Sequence, residues 1–248
     1  MLLKERTDGQ KERLLKMYNR PFIYFKPYYN SVIPLKIYQT WKTKDLPPKM
    51  KECVEKLKNT NPRFEHFLFD DNDCREFIKN HFRKEVLDAY NKLKPGAYKA
   101  DLWRYCILYI NGGIYLDIKV SCINNFKLIE LTEKEHFVID RPQNSIYNCV
   151  LCCKRGNPFL LAAINQIVEN VKNKYYGETP LHPTGPCMLG KIVMKYGYRL
   201  NLDMNHYIGG NKILYKNIFV LSSIYPEYHS ERKHTHYNEL WKRRDIYN

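Results

Sequence analysis

Apolar and polar positions change period along the chain, and each change marks an element. Leu35-Lys36-Ile37-Tyr38-Gln39-Thr40 alternates with the two-residue period of a strand and runs into a loop marked by Pro47-Pro48. A helix is predicted over residues 49–59 and a second strand over 64–69. Asp70-Asp71-Asn72-Asp73 then supplies N-cap residues for a helix over 74–80, and capping is the expected role of those carboxylates rather than metal binding. Pro95-Gly96 opens another helix, with Leu102, Tyr105, Cys106 and Tyr109 at helical spacing, and Asn111-Gly112-Gly113 stops it. Residues 114–120 are short, nearly continuous and rich in branched and aromatic side chains, which predicts a strand at the centre of a parallel sheet. Further on, the pattern predicts strands over 137–140, 146–153 and 219–221. Helices are predicted over 159–172 and 187–196, the last entered through the loop Thr184-Gly185-Pro186. Strands separated by helices predict an α/β domain with a largely parallel sheet over residues 33–248. Residues 1–20 read as a charged helix, and 21–32 as an aromatic-rich arm, broken by Pro21 and Pro27, that packs its rings on the domain.

Composition narrows the class. With 248 residues, 44% apolar and 27% charged, the chain is a globular protein and not a disordered one. No apolar run approaches the roughly 18 residues of a spanning helix, and Met1-Leu2-Leu3-Lys4-Glu5-Arg6 lacks the apolar stretch of a secretory signal. A cytoplasmic location, with possible peripheral membrane contact, is the expectation. Lys and Arg number 41 against 26 Asp and Glu, a net charge of +15. Nucleic acid, an anionic membrane, an acidic glycan or a nucleotide diphosphate would each suit that charge. The lysines are spread along the chain, however, and cluster only towards its ends, as at Lys11–Arg13 and Lys242-Arg243-Arg244, so a solvated basic face is the plainer reading. Eight cysteines are too few for a disulfide scaffold, and Cys149-x-x-Cys152-Cys153 lacks a second pair for zinc, so buried free thiols are expected. His229, His234 and His236 could ligate a metal or serve as polar contacts.

The chemistry concentrates in the middle of the chain. A carboxylate inside an apolar strand is costly without a partner, which singles out Asp117. Asp101 and Arg104 lie three apart on one helix face, as a surface salt bridge or a ligand-binding pair. The Thr184-Gly185-Pro186 loop is either an anion or sugar site at a helix start or a simple turn. There is no P-loop, no GxGxxG and no internal repeat.

Three ordered stretches carry a resemblance: Ile33-Pro34-x-Lys36-Ile37-Tyr38-Gln39-Thr40-Trp41-Lys42, Ala100-Asp101-Leu102-Trp103-Arg104-Tyr105, and Gly112-Gly113-Ile114-Tyr115-Leu116-Asp117. They resemble the glycosyltransferases with a DXD motif in their sugar-binding region, a group that includes the yeast initiating α-1,6-mannosyltransferase and the α-1,4-galactosyltransferases of glycolipid synthesis. The resemblance implies a GT-A fold, α/β with a mixed, mostly parallel central sheet flanked by helices. It also implies transfer of a sugar, with retention, from a nucleotide-sugar donor to a glycan or glycoconjugate acceptor. UDP is favoured over GDP, and nucleic acid is not an expected partner. Carried over by position, Gln39, Thr40 and Trp41 border the nucleoside, and Asp101, Arg104 and Tyr105 contact donor sugar or ribose. Asn148, Gly185, His236 and Trp241 are fainter donor-side matches, and Asp117 is the first acid of the motif.

The second acid is missing, because Lys119 stands in its place. On a strand, Asp117 and Lys119 would face the same space about 6–7 Å apart. In the family that acid helps hold Mn²⁺ or Mg²⁺ against the leaving diphosphate. Three readings follow. Lys119 contacts the phosphates without metal; or His236 or Asp203 completes a weaker metal site with Asp117; or the protein is an inactive relative that binds glycan or nucleotide. A surviving metal site with Asp117 and His236 is the working expectation, and a basic nucleic-acid-binding protein is the competing class.

Overall fold

Tyr38 and Ile37 of strand β1 (Lys36–Thr40) are both buried, on opposite faces and in different cores. The division recurs in β3 (Gly113–Leu116), where Tyr115 enters one core and Ile114 and Leu116 the other, and in β5 (His136–Asp140), through Phe137 and Val138. β6 (Ser145–Cys153) divides Leu151 from Val150 in the same way. Strands covered on both faces have no polar side to show, which is why β3 reads as an apolar run, while β1 keeps its alternation only by burying Gln39. The structure, a computed structural model, describes residues 7–140, 144–195, 202–205, 210–224 and 235–248. The helix end at 196 and the candidates His229 and His234 lie outside the described residues.

Nine strands among the described residues form one sheet, in the order β2-β1-β3-β6-β5-β7-β8-β9-β4. The remaining strands are β2 (Glu65–Phe69), β4 (Ser121–Cys122), β7 (Leu202–Asn205), β8 (Lys212–Tyr215) and β9 (Ile218–Ser222). Parallel pairing joins β1 to β2 and β3, and β5 to β7; the other neighbours are antiparallel. The sheet is mixed and flanked by helices, as expected, but parallel pairs do not dominate it. Short connections are the reason. β5 returns as β6 within a few residues, and β8 returns as β9 through Lys216 and Asn217, whose φ of 49° and 57° make the left-handed pair of a tight hairpin.

The helices are α1 (Asp8–Tyr18), α2 (Pro48–Thr60), α3 (Asp71–His81), α4 (Lys84–Lys92), α5 (Gly96–Asn111), α6 (Pro158–Lys172), α7 (Pro186–Lys195) and a short C-terminal helix, Tyr237–Lys242. Asp70 caps α3 as expected: its Oδ1 accepts the Asp73 N–H at 2.9 Å while Asp73 Oδ2 accepts the Asp70 N–H. α5 is apolar around its circumference and is buried from Asp101 to Leu108, between the sheet and α3 and α6. Gly112 ends it at φ 64°, and a Cβ on Gly113 would lie 2.8 Å from the Lys36 carbonyl oxygen. Two glycines therefore let the chain leave α5 and enter β3 flush against β1.

β3 stops at Leu116, four residues earlier than expected. The Val120 N–H donates to the Asp117 carbonyl at 2.9 Å, closing a turn over 117–120, after which the chain crosses to the far edge of the sheet as β4. Ile118 and Val120 are buried in separate cores, and it is this anchoring that exposes Asp117 and Lys119 to one side. In the N-terminal arm, Phe22 packs edge-on against Phe126, while Phe25 and Tyr28 stay exposed, so only part of the expected ring packing is present. None of the eight cysteines forms a disulfide, and Cys149, Cys152 and Cys153 are buried in β6. Among the described residues no helix is long and apolar enough to cross a membrane.

Candidate active site

A cleft of about 440 Å³ opens beyond the ends of β1 and β3. This is where open α/β sheets take their ligands. Thr40, Trp41 and Lys42 line it from the end of β1, and Asp117, Ile118 and Lys119 from the turn after β3. The start of α5, from Lys94 to Ala100, forms another wall with Arg104 one turn deeper, and Thr235 and Leu240 of the C-terminal segment close over it. Lys42, Lys94, Lys99, Lys119 and Arg104 face two carboxylates, Asp71 and Asp117, so the lining is strongly cationic.

The Asp117 turn is held from four directions. Its N–H donates to the Cys149 carbonyl at 2.8 Å, and its own carbonyl accepts from Gln39 Nε2 at 3.3 Å. Its Oδ1 accepts the Tyr115 hydroxyl at 2.8 Å and lies 3.4 Å from Arg104 Nη1. The side chain of Asp117 is 26% exposed, so it is a half-buried cleft residue and not the fully buried strand carboxylate expected. Gln39 is wholly buried, and its Oε1 pairs with His66 Nε2 at 2.8 Å. Burial, followed by Lys58, pushes the His66 imidazole down to about 4, so it is neutral at physiological pH. Gln39 thus supports the turn from beneath and does not border the cleft.

Arg104 is the hub. Its Nη1 donates to the Asn148 carbonyl at 2.6 Å and its Nε to the Ala100 carbonyl, and the guanidinium lies 4.3 Å from the centre of the Tyr115 ring. Its Nη2 is 3.4 Å from Asp101 Oδ1. Burial works against its charge, but Tyr115, Asp117 and Asp101 outweigh that and hold it above its ordinary value. Asp101 is buried behind it, with Oδ1 accepting from Asn148 Nδ2 at 2.9 Å and Oδ2 from Thr184 Oγ1 at 2.7 Å. Burial raises the Asp101 carboxyl, against the pull of Arg104, Thr184 and Asn148. The Tyr105 hydroxyl accepts from Asn148 Nδ2 and donates to the Thr184 carbonyl. A Cβ on Gly185 would come within 3.2 Å of Asp101 Oδ2.

These contacts correct several expectations. Asp101, Tyr105, Asn148 and Gly185 are brought together, but as an internal network behind Arg104 and outside the cleft lining. The Asp101–Arg104 pair is a buried structural link, not a surface salt bridge. The Thr184-Gly185-Pro186 loop packs on a carboxylate, which disfavours an anion there. Thr40, Trp41, Arg104, Asp117 and Lys119 do line the cleft, Trp41 resting on Met50, Val54 and Ile118. Asp117 and Lys119 share it through a turn and not through strand alternation. Lys42, Lys94, Lys99 and Leu240 were not foreseen. Pro95-Gly96 signalled a helix start, but nothing in its pattern told that the start would face Asp117.

At the C-terminus, the Trp241 indole N–H donates to the Tyr176 carbonyl at 2.8 Å, anchoring the short helix. His236 caps that helix, its Nδ1 accepting the Asn238 N–H at 3.2 Å, and it is not among the cleft-lining residues although Thr235 is. Asp203 is on β7, three strands from β3 and so about 14 Å away sideways. A divalent ion of this kind takes several oxygen donors, one or two of them protein carboxylates and the rest substrate phosphates and water. Among the described residues no three His, Cys, Asp or Glu groups come together to provide them, and Asp117 Oδ1 is already engaged by Tyr115 and Arg104. The described side chains therefore offer a Mn²⁺ or Mg²⁺ ion Asp117 Oδ2 alone, with the Lys119 ammonium lining the same cleft, a poor fit for the motif's metal.

Comparison with known proteins agrees with the motif pattern. The family described as glycosyltransferase sugar-binding region containing DXD motif matches residues 47–138. Inositol phosphoceramide mannosyltransferase 3 of Schizosaccharomyces pombe is 33% identical over 164 residues, covering 66% of this chain and 45% of that protein. The initiation-specific alpha-1,6-mannosyltransferase of Candida albicans is 26% identical over 219 residues, covering 72% of this chain and 56% of that protein. The chain thus spans about half the length of these relatives. Among solved structures, the PaToxG glycosyltransferase superposes with a TM-score of 0.52 at 18% identity, covering 76% of this chain and 74% of that one, which assigns the GT-A type of fold. Residues 47–138 match the model of the glycosyltransferase sugar-binding region containing DXD motif, and over a longer stretch the chain is similar to mannosyltransferases.

Proposed function

We propose that this chain is a hexosyltransferase that moves a sugar, mannose foremost, from a nucleotide-diphosphate donor to a hydroxyl group of a glycan or glycolipid. The observation that carries the reading is the cleft itself: a carboxylate fixed by Tyr115 and Arg104 at the strand ends, in a cationic lining. Transfer makes the diphosphate leave with its charge increased, and preorganised cations placed there stabilise that change. Asp117 Oδ1 is taken up inside the protein, which leaves Oδ2 to accept a sugar or ribose hydroxyl. Trp41 and Ile118 give the cleft an apolar floor that limits water around the reacting carbon. The mannosyl specificity is drawn from the names of the relatives, and retention at the anomeric carbon from the family resemblance.

The test is turnover. With GDP- or UDP-linked hexoses and a mannoside or inositol-phosphate lipid acceptor, in buffers with and without Mn²⁺, nucleoside diphosphate is released together with a glycosylated product whose anomeric configuration matches the donor. Absence of product with every donor, in both buffers, would leave the chain an inactive relative.

A further inference from the structure

Lys119 occupies the position where the motif's second acid would be, and the turn over 117–120 brings its side chain to the same cleft as Asp117. An ammonium cannot ligate a metal ion, and it repels one. Asp117 has its Oδ1 accepting the Tyr115 hydroxyl and lying against Arg104, so Oδ2 is the one oxygen it has left where the motif would supply two acids. Lys42 enters the cleft from the end of β1, the parallel neighbour of β3, so two ammonium groups follow the ends of adjacent hydrogen-bonded strands. Arg104 adds a third cation beneath them, held in place by Asp101 and Asn148.

We propose that this cleft binds the diphosphate of its donor without a divalent metal, Lys119 and Lys42 contacting the phosphate oxygens that a metal would otherwise bridge. The inference rests on the nucleotide-sugar reading and specifies how that ligand is held. A diphosphate brings about two negative charges, and the cleft presents cations in excess of carboxylates. The substitution of Lys for Asp at 119 then exchanges one neutralising device for another. Lys119 and Lys42 are assigned the role by position, at the ends of β3 and β1 beside Asp117, whereas Lys94 and Lys99 belong to the wall at the start of α5.

Calorimetric titration of the full chain with UDP and GDP, in EDTA and then in Mn²⁺, separates the outcomes. The wild type is expected to bind one of them with an affinity that changes less than about threefold between the two buffers. Lys119→Gln is expected to weaken binding about 10- to 100-fold in EDTA, the loss of one charge-assisted hydrogen bond. Lys119→Asp should bind poorly in EDTA and regain affinity in Mn²⁺, since a second carboxylate restores the missing ligand. Circular dichroism melts of both variants confirm that each is folded. Wild-type binding seen only with Mn²⁺, or undiminished by Lys119→Gln, overturns the metal-free site while leaving the nucleotide-sugar reading standing. Absence of binding in both buffers overturns both.

Discussion

Asp117→Asn is expected to reduce sugar transfer by about 100-fold or more while leaving the fold intact, because small displacements of a donor from its reacting geometry cost that much. The amide keeps the shape and the acceptor at Oδ1, so the Tyr115 hydroxyl still has a partner, and Arg104 still has the Asn148 carbonyl and Asp101. What disappears is the charge of a carboxylate that lines the cleft. The Asp117 backbone contacts with Cys149 and Gln39 are untouched, so the turn stays where it is. Thermal melts should agree with the wild type within a few degrees while steady-state turnover collapses. Activity near the wild-type level would make Asp117 a structural residue only.

Arg104→Met should cost about 3–5 kcal/mol of folding stability, the typical consequence of leaving a buried carboxylate without its cation. For a chain of this size each kcal/mol lowers the melting temperature by about 2–4 °C, so a fall of about 10 °C is expected. Asp101 is the carboxylate left behind, and burial already raises its carboxyl above the ordinary value. A group so raised is more easily protonated in the folded state than in the unfolded chain. Its favourable contribution is full below the unfolded pKa and is lost as pH rises through the folded one. The penalty of Arg104→Met should therefore be smaller near pH 4–5 than at pH 7.5 (the unfolded Asp value being about 3.9), and Asp101→Asn in the same chain should recover part of it. Urea melts at the two pH values measure this. An equal loss at both, with no rescue by Asp101→Asn, would mean that the Arg104 packing on Tyr115 matters and its charge pairing does not.

Much of the fold was legible because burial leaves a periodic trace. The alternation over 35–40, the capping acids at 70–73 and the glycine pair at 112–113 each name a local structure by their own chemistry, and all three are present. α4 has no start signal of its own: Val86, Ala89 and Tyr90 have helical spacing, but Phe82 and Arg83 separate it from α3 without a proline, a glycine or a capping side chain. The β8–β9 hairpin is hidden for a related reason, since Lys216 adopts a left-handed conformation that Asn or Gly would advertise. Residues 114–120 looked like one strand because a turn whose alternate side chains are buried has the same apolar pattern as a strand. The site was legible in its members more than in its arrangement. Asp101, Arg104 and Asp117 are linked as their spacing suggested, yet which of them faces the cleft depends on Thr184 and Asn148, brought to α5 from distant segments. The cationic wall at the start of α5 had no local signature at all.

On the proposed function, the cleft at the ends of β1 and β3 holds a nucleotide-diphosphate sugar against Asp117. The most direct test is titration of the wild-type chain and Asp117→Asn with UDP- and GDP-linked hexoses beside the bare nucleotides. One sugar nucleotide is expected to bind the wild type at a single site, and Asp117→Asn to weaken it by about tenfold or more, the cost of a hydrogen bond to a charged group. Equal affinity of the two chains for every sugar nucleotide, or no binding to the wild type, would contradict it.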